Sequence, residues 1–442
     1  MPLISSVFWR GFRWKNRLDG EIAALGEFAR LRPDQARTRM AARLAETIRY
    51  FGNRADALPE WREAAKISDP DETLRLWPSL PVLTKRDIVE RFPAAGMAAR
   101  FGLSGRVNST GGSTGEPTRF YQDTGMIRAG FAATLYARLR MGWRYGMPII
   151  ALWGSDRDLG LAAANRKARW MASLRNDHVI GGFRVDEGTV DRFLNLLRRH
   201  QPAAVFGYAS LLEFLARQVI EQNRQPPPGA VHLAWGGAEM LFASQSEMFR
   251  RAFGTPILNW YGSRELSVVA FQPDAASALE LIRPDFYLEL VNEAGAPVSA
   301  GEVGRILVTC TVGRGTPFIR YEIGDLAAAD PAGADESGIW KLDRIEGRIA
   351  GVMRLPNGTM VNALYWNQVL KEFEEVHQFQ VALGADEPGV ELRLVGKGFS
   401  PEREALARQR MSVVLGTTPV TFVWKESLPL TKQGKLLQVV QR

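Results

Sequence analysis

One cysteine, Cys310, in 442 residues leaves no means of building a disulfide framework, a four-thiolate zinc site or an iron–sulfur cluster. The four histidines, His178, His200, His232 and His377, are scattered, which argues against a histidine-rich metal centre. Lysine is scarce, filling ten of the 56 basic positions. No run approaches the roughly 18 apolar residues that cross a bilayer. The longest, such as Pro148–Trp153, suit a buried strand. Met1–Arg10 lacks a secretory leader's order of basic start, apolar centre and small-residue cleavage site, so a cytoplasmic protein is expected. Internal repeats and low-complexity tracts are missing too.

What is present is ordinary for a globular enzyme: 46% hydrophobic and 24% charged residues, too apolar for disorder. The length allows two or three domains. The formal charge of +8 has two readings, an arginine-biased solvated surface or an anionic partner such as a nucleotide or membrane. Residues 1–60 interleave Phe8, Trp9, Phe12 and Trp14 with Arg10, Arg13, Lys15 and Arg17. Such a segment either packs on the body as an arm or makes weak peripheral contact with an anionic membrane. Helical spacing follows at Ile22, Leu25 and Phe28, and at Met40, Leu44 and Ile48.

Between about 145 and 265, strand-like runs (149–153, 203–206, 231–235, 257–260) alternate with helical faces (190–197, 211–219, 245–253). That alternation predicts an α/β fold with a parallel or mixed sheet. From about 282 the pattern becomes β-hairpin-like, with Phe286–Val291 and Arg305–Thr309, and a short strand is expected at Ile339–Leu342. The last ninety-odd residues read as their own unit, with strands near 378–383, 391–395 and 420–424 and a helix near 401–415. These patterns place a domain boundary near 348, giving a large unit 1–347 and a small unit 348–442.

The densest signal is Asn108-Ser-Thr-Gly-Gly-Ser-Thr-Gly-Glu-Pro-Thr118. Gly111, Gly112 and Gly115 let the backbone turn sharply and aim N–H groups at an anion, while Thr110, Ser113 and Thr114 add hydroxyls. A Walker A loop would end in Gly-Lys-Ser/Thr, and here Gly115 precedes Glu116 and Pro117. A dinucleotide fingerprint needs a helix at this point, whereas Glu-Pro-Thr-Arg-Phe-Tyr reads as a strand, giving a strand–loop–strand hairpin. Gly111–Gly115 also fits the G-x-S-x-G elbow of a serine hydrolase with Ser113 as nucleophile, but the elbow too requires an immediate helix.

Six further motifs follow in order: Gly236-Gly-Ala-Glu239, Tyr261-Gly-Ser-Arg-Glu265, Gly301–Thr309, Tyr321-Glu-Ile-Gly-Asp325, Gly347-Arg348 and Thr431-Lys-Gln-Gly-Lys435. Together with the loop they resemble the core motifs of adenylate-forming enzymes. Threonine after the proline looks most like the phenylacetate–CoA ligase branch, nearest its capsular-polysaccharide-associated members. The resemblance implies a large N-terminal α/β domain of adenylate-forming type with a small C-terminal α+β domain. It also implies an AMP-forming ligase: ATP and a small carboxylic acid would give an acyl-adenylate and pyrophosphate, then acyl transfer to CoA, a carrier thiol, an amine or a sugar hydroxyl. Nucleic acid is not an expected partner. A non-catalytic or repurposed nucleotide binder is the other class left open.

By that resemblance, residues 110–115 would hold the β- and γ-phosphates. Gly237, Ala238 and Glu239 would flank the adenine, and Tyr261 with Gly262 would stack on it. Glu265 would hold Mg²⁺, a hard cation that favours carboxylate oxygen beside phosphate. Asp325 would accept from the ribose hydroxyls, Arg348 would donate near the ribose or phosphate, and Lys435 would stabilise the adenylation transition state. Because Lys435 lies in the small unit, the site would be complete only on domain closure. The family's usual hinge aspartate is missing from Gly347-Arg-Ile-Ala-Gly351. Arg264 stands where relatives carry a small hydroxyl residue, and either contacts an anion or points away. Tyr208, Trp235 and Trp260 are the candidates for the acyl pocket, each with a core role as the alternative.

Overall fold

The computed structural model describes residues 2–109, 118–153, 166–181, 187–224, 226–238, 241–335, 338–346, 352–355, 360–370, 372–373, 375–383, 389–429 and 439–440. Strands β1 (Gly105–Ser109) and β2 (Arg119–Asp123) pair antiparallel, with Ser109 opposite Arg119. This is the expected hairpin, and it brings the two ends of residues 110–117 together. The loop residues themselves lie outside the described residues.

Strands β3 (Ile149–Leu152), β4 (Asp177–Ile180), β5 (Ala203–Gly207), β6 (Val231–Gly237) and β7 (Ile257–Ser263) are parallel, in the spatial order β4-β3-β5-β6-β7. Helices Glu187–Arg199, Ala209–Glu221 and Ala243–Phe253 connect them. Val190, Phe193, Leu194 and Leu197 recur on one helical face and are wholly buried. Each contributes about 1.5–3 kcal/mol by leaving water.

At β7 the sheet changes character. Strands β8 (Ser267–Phe271), β9 (Leu279–Leu281), β10 (Phe286–Val291), β11 (Val303–Cys310) and β12 (Tyr321–Ala329) are antiparallel to their neighbours. A small pair, β13 (Ala334–Asp335) and β14 (Gly338–Ile339), precedes β15 (Lys341–Glu346). The result is one mixed eleven-stranded sheet, ordered β10-β11-β12-β15-β9-β8-β7-β6-β5-β3-β4. The strand expected at Ile339–Leu342 is instead split at Trp340, whose amide turns to the Gly333 carbonyl at 2.8 Å.

Helices Leu18–Phe28 and Pro33–Gly52 lie over the antiparallel half, and Pro2–Lys15 packs on helix Arg166–Arg175 beside β4, with Trp9 edge-on to Trp143 at 5.7 Å. On that face the segment is an arm packed on the body. Helix Thr124–Arg140 has no counterpart among the expected elements. Its buried face is largely alanine, which gives a weak hydrophobic period, and Asp123 caps it by accepting from the Met126 N–H at 3.1 Å.

The remaining elements are the hairpin β16 (Val352–Arg354) and β17 (Met360–Asn362), helix Ala363–Leu370, β18 (Val376–Leu383), β19 (Val390–Gly396), helix Pro401–Leu415, β20 (Val420–Trp424) and β21 (Val439–Val440). A four-stranded sheet, β20-β19-β18-β21, packs Val381, Leu392 and Leu394 against Trp366 and Met411, and Tyr208 and Leu211 join this second core. The position near 348 where a boundary is expected lies outside the described residues.

Candidate active site

The turn from β7 to β8 marks the change from parallel to antiparallel strands, beside the carboxyl ends of β5, β6 and β7, where open α/β sheets leave a crevice. Gly262 faces Ser267 so closely that a Cβ there would lie 2.1 Å from the Ser267 carbonyl oxygen. Only glycine fits. The register shifts between Tyr261 and Gly262, a bulge that re-aims the Tyr261 side chain.

A second bulge lies on β12, where the pairing jumps from Leu307↔Glu322 to Arg305↔Leu326 and Gly324 takes φ +90°. Asp325 sits on it. The Tyr261 hydroxyl donates to Asp325 Oδ2 at 3.0 Å, and the Tyr321 hydroxyl donates to Glu265 Oε1 at 3.2 Å. Strands β8, β9 and β15 separate β7 from β12 within the sheet. At about 4.8 Å per strand a flat sheet would hold these groups far apart, so the contacts require it to curl. Curling draws Asp325 to Tyr261 on β7, and Tyr321 to the β7–β8 turn where the Glu265 side chain is buried.

The β1–β2 hairpin is tied to the same place. The Gln122 side-chain amide donates to the carbonyls of Arg264 and Glu265 at 3.1 and 3.3 Å, and Arg264 Nη1 donates to the Ser109 carbonyl at 3.2 Å. Asp123 Oδ2 accepts from the Arg314 and Gly315 amides at 2.7 and 2.9 Å, fixing β2 to the loop after β11. Arg320, buried at the start of β12, pairs with Glu289 at 3.0 Å and donates to the Pro78 and Leu80 carbonyls. Burial pushes the Glu289 carboxyl up, and Arg320 opposes that shift.

At the end of β6, Ala238 has φ +67°, a conformation that a residue with a side chain rarely adopts outside a constrained site. Beside it runs an aromatic row. Trp153 stacks on Tyr208 and Phe206 at 4.4 and 4.7 Å, Phe206 stacks on Trp235 at 5.4 Å, and Trp260 lies 6.1 Å from Trp235. Trp235 and Tyr208 are buried, and Trp260 is partly exposed.

A family model for AMP-binding enzymes matches residues 173–312. That stretch of the chain is similar to the AMP-binding enzymes. Two relatives agree with it. Protein CapK of Staphylococcus aureus is 22% identical over 311 residues, 69% of this chain and 66% of that protein. The phenylacetate-coenzyme A ligase of Escherichia coli is 25% identical over 280 residues, 61% of this chain and 60% of that protein. The matches thus span a little under two thirds of those relatives' lengths. A structure of 2-hydroxyisobutyryl-CoA ligase with 2-HIB-AMP and CoA shares the fold at TM-score 0.57 and 18% identity, covering 93% of this chain and 90% of that one.

Within the matched stretch and its flanks, the structure ties Tyr261 to Asp325 and sets Gly262, Arg264 and Glu265 by the hairpin, with Gly237 and Ala238 at the end of β6. Thr110, Gly111, Gly112, Ser113, Thr114, Gly115, Glu239, Arg348 and Lys435 lie outside the described residues. The chain re-enters as strand β2 at Arg119, where a hydrolase elbow at Ser113 needs a helix. Arg264 neither points away nor lies idle, since it fastens the base of the hairpin. Sequence reasoning missed Gln122, Asp123 and Arg320, and gave Tyr321, the first residue of the 321–325 motif, no role of its own. Asp123 alone carried a usable signal, as an acidic cap before a helix.

Proposed function

We propose that the protein is an ATP-dependent, AMP-forming ligase that activates a small carboxylic acid as its acyl-adenylate and passes the acyl group to CoA, a carrier thiol, an amine or a sugar hydroxyl. The observation that carries this reading is the convergence of Asp325 and Glu265 beside the ends of the β1–β2 hairpin, within a chain of AMP-binding ancestry. Asp325 would accept from the ribose diol while Tyr261 holds its other oxygen. The loop 110–115 would take the polyphosphate. Glu265 suits Mg²⁺: among the described residues no three His, Cys, Asp or Glu side chains cluster as a cage, and this ion commonly takes one or two carboxylates and fills its shell with phosphate and water. Bound there, Mg²⁺ would neutralise phosphate charge that otherwise repels the attacking carboxylate.

Lys435, carried by a small C-terminal unit beginning near 348, would donate to the α-phosphate on closure. Of the acyl-pocket candidates, Trp260 would face the acyl group together with Phe206, while Tyr208 and Trp235 are buried behind them in their core role. We place the reaction in the cytoplasm; among the described residues no helix is long and apolar enough to cross a membrane.

The test is exchange of labelled pyrophosphate into ATP across a panel of carboxylic acids. Exchange with at least one acid, lost in Lys435→Ala while ATP still binds, supports the ligase. ATP binding without exchange for any acid would identify a nucleotide binder instead. Exchange that persists in Lys435→Ala would remove that residue's role.

A further inference from the structure

Helix Pro2–Lys15 is apolar on two faces. One face, with Ser5 and Trp9 at its centre, is buried against Trp143 and Tyr145. The other presents Ile4, Val7 and Trp14, which are 62%, 71% and 80% exposed. Positions 4, 7 and 14 fall on one side of a helix of 3.6 residues per turn. Exposed Arg10 and Lys15 flank that stripe on its two edges. Helix Arg166–Arg175 packs against Pro2–Lys15 and adds Trp170, 61% exposed, among exposed Arg166, Lys167 and Arg169. Neither helix contains a single Asp or Glu. The neighbouring Asp19 and Asp177 are held by Arg13 and Arg175.

We infer that this face docks on an anionic lipid surface. The inference is independent of the ligase reading. Charge complementarity selects the partner's sign, because paired acidic-free helices meet phosphate headgroups without repulsion. The apolar stripe then selects lipid over nucleic acid. Ile4 and Val7 gain nothing from a sugar–phosphate backbone, whereas an aliphatic stripe that includes Trp14, with basic rims and an exposed Trp170 on the adjoining helix, matches the interface between headgroups and acyl chains. The helix lies on the membrane without spanning it, its inner face remaining fixed to the protein through Trp9.

The experiment is co-sedimentation of the full-length protein with vesicles of phosphatidylcholine alone and of phosphatidylcholine mixed with phosphatidylglycerol. Binding is expected to the anionic vesicles only, and to weaken as salt is raised. Two double variants, Trp14→Ala with Trp170→Ala and Arg10→Glu with Lys15→Glu, should each lower partitioning at least about tenfold. All four side chains are exposed, so unchanged thermal melting will show that the fold is intact. Absence of binding to anionic vesicles overturns the inference. So does binding that both variants leave untouched. A dimer dissolved by the tryptophan variant, or retention of polyglutamate or RNA by protein that ignores vesicles, assigns the face to another occupant and overturns it as well.

Discussion

The Tyr261 hydroxyl reaches 3.0 Å to Asp325 Oδ2, although three strands of the same sheet separate their backbones. This bond holds one oxygen of the Asp325 carboxylate in place. Tyr261→Phe removes one hydrogen bond to a charged acceptor, worth about 1.5 kcal/mol or roughly tenfold. The KM for ATP in pyrophosphate exchange should rise by about that factor, and Asp325→Ala should raise it further. An unchanged KM in Tyr261→Phe would show that the hydroxyl does not orient the carboxylate.

Gly262 is the sharpest steric constraint near the site. Gly262→Ala drives a methyl into the Ser267 carbonyl and should cost more than about 2 kcal/mol, read from urea unfolding. Gly20, helical and with nothing within 4 Å of the place a methyl would take, is the control. Gly20→Ala should stabilise by about 0.5–1 kcal/mol.

Asp285 gives a pH signature. Burial raises its carboxyl from 3.8 to about 7, with Arg43 opposing the shift and Glu21 adding to it. The folded protein therefore holds this proton more tightly than the unfolded chain. Stability from this group falls as pH rises from 3.8 towards 7, and the loss is complete above that. Asp285→Asn should melt at least about 2 °C higher than the parent at pH 8, and the difference should vanish near pH 4. An advantage that persists at the acid end would show that the carboxyl is not the cause.

Cys310 is buried, and desolvation pushes its thiol up to about 12. The thiolate is the reactive form, so native protein should resist iodoacetamide at pH 8 and label fully in denaturant. Rapid native labelling would contradict the burial.

Periodicity sufficed for β3, β5, β6 and β7 in the parallel half of the sheet, but not for β4, whose Asp177-His-Val-Ile180 is too short and polar at its start to read as a strand. The faces of helices 187–199 and 209–221 are large aliphatic residues at clean spacing, and the flanking strands are continuous apolar runs. It failed for Thr124–Arg140, whose alanines contrast weakly with their neighbours. Ordered motifs located Tyr261, Glu265 and Asp325, because glycines that permit bulges and close approaches leave a local trace. Gln122 and Arg320 left none, and Tyr321 stood in a motif without its bond to Glu265 being legible. Each acts on a partner far away in the chain, and an arginine or glutamine is read by default as solvated. Arg264 stands out in the sequence as a departure, yet its bond to Ser109 follows only from the hairpin's position.

Arg320 has a practical consequence for dissection of the molecule. Its guanidinium grips Pro78, Leu80 and Glu289, so the placement of Tyr321 and Asp325 depends on residues well before the matched stretch 173–312. A fragment cut to that stretch keeps the Glu265 turn but loses the hairpin, Tyr321 and Asp325. A chain starting beyond Leu80 would strand a buried cation with a single counter-ion. The segment around Pro78 and Leu80 is thus part of the gauge that sets where Tyr321 and Asp325 stand, and a smaller piece should lose that placement.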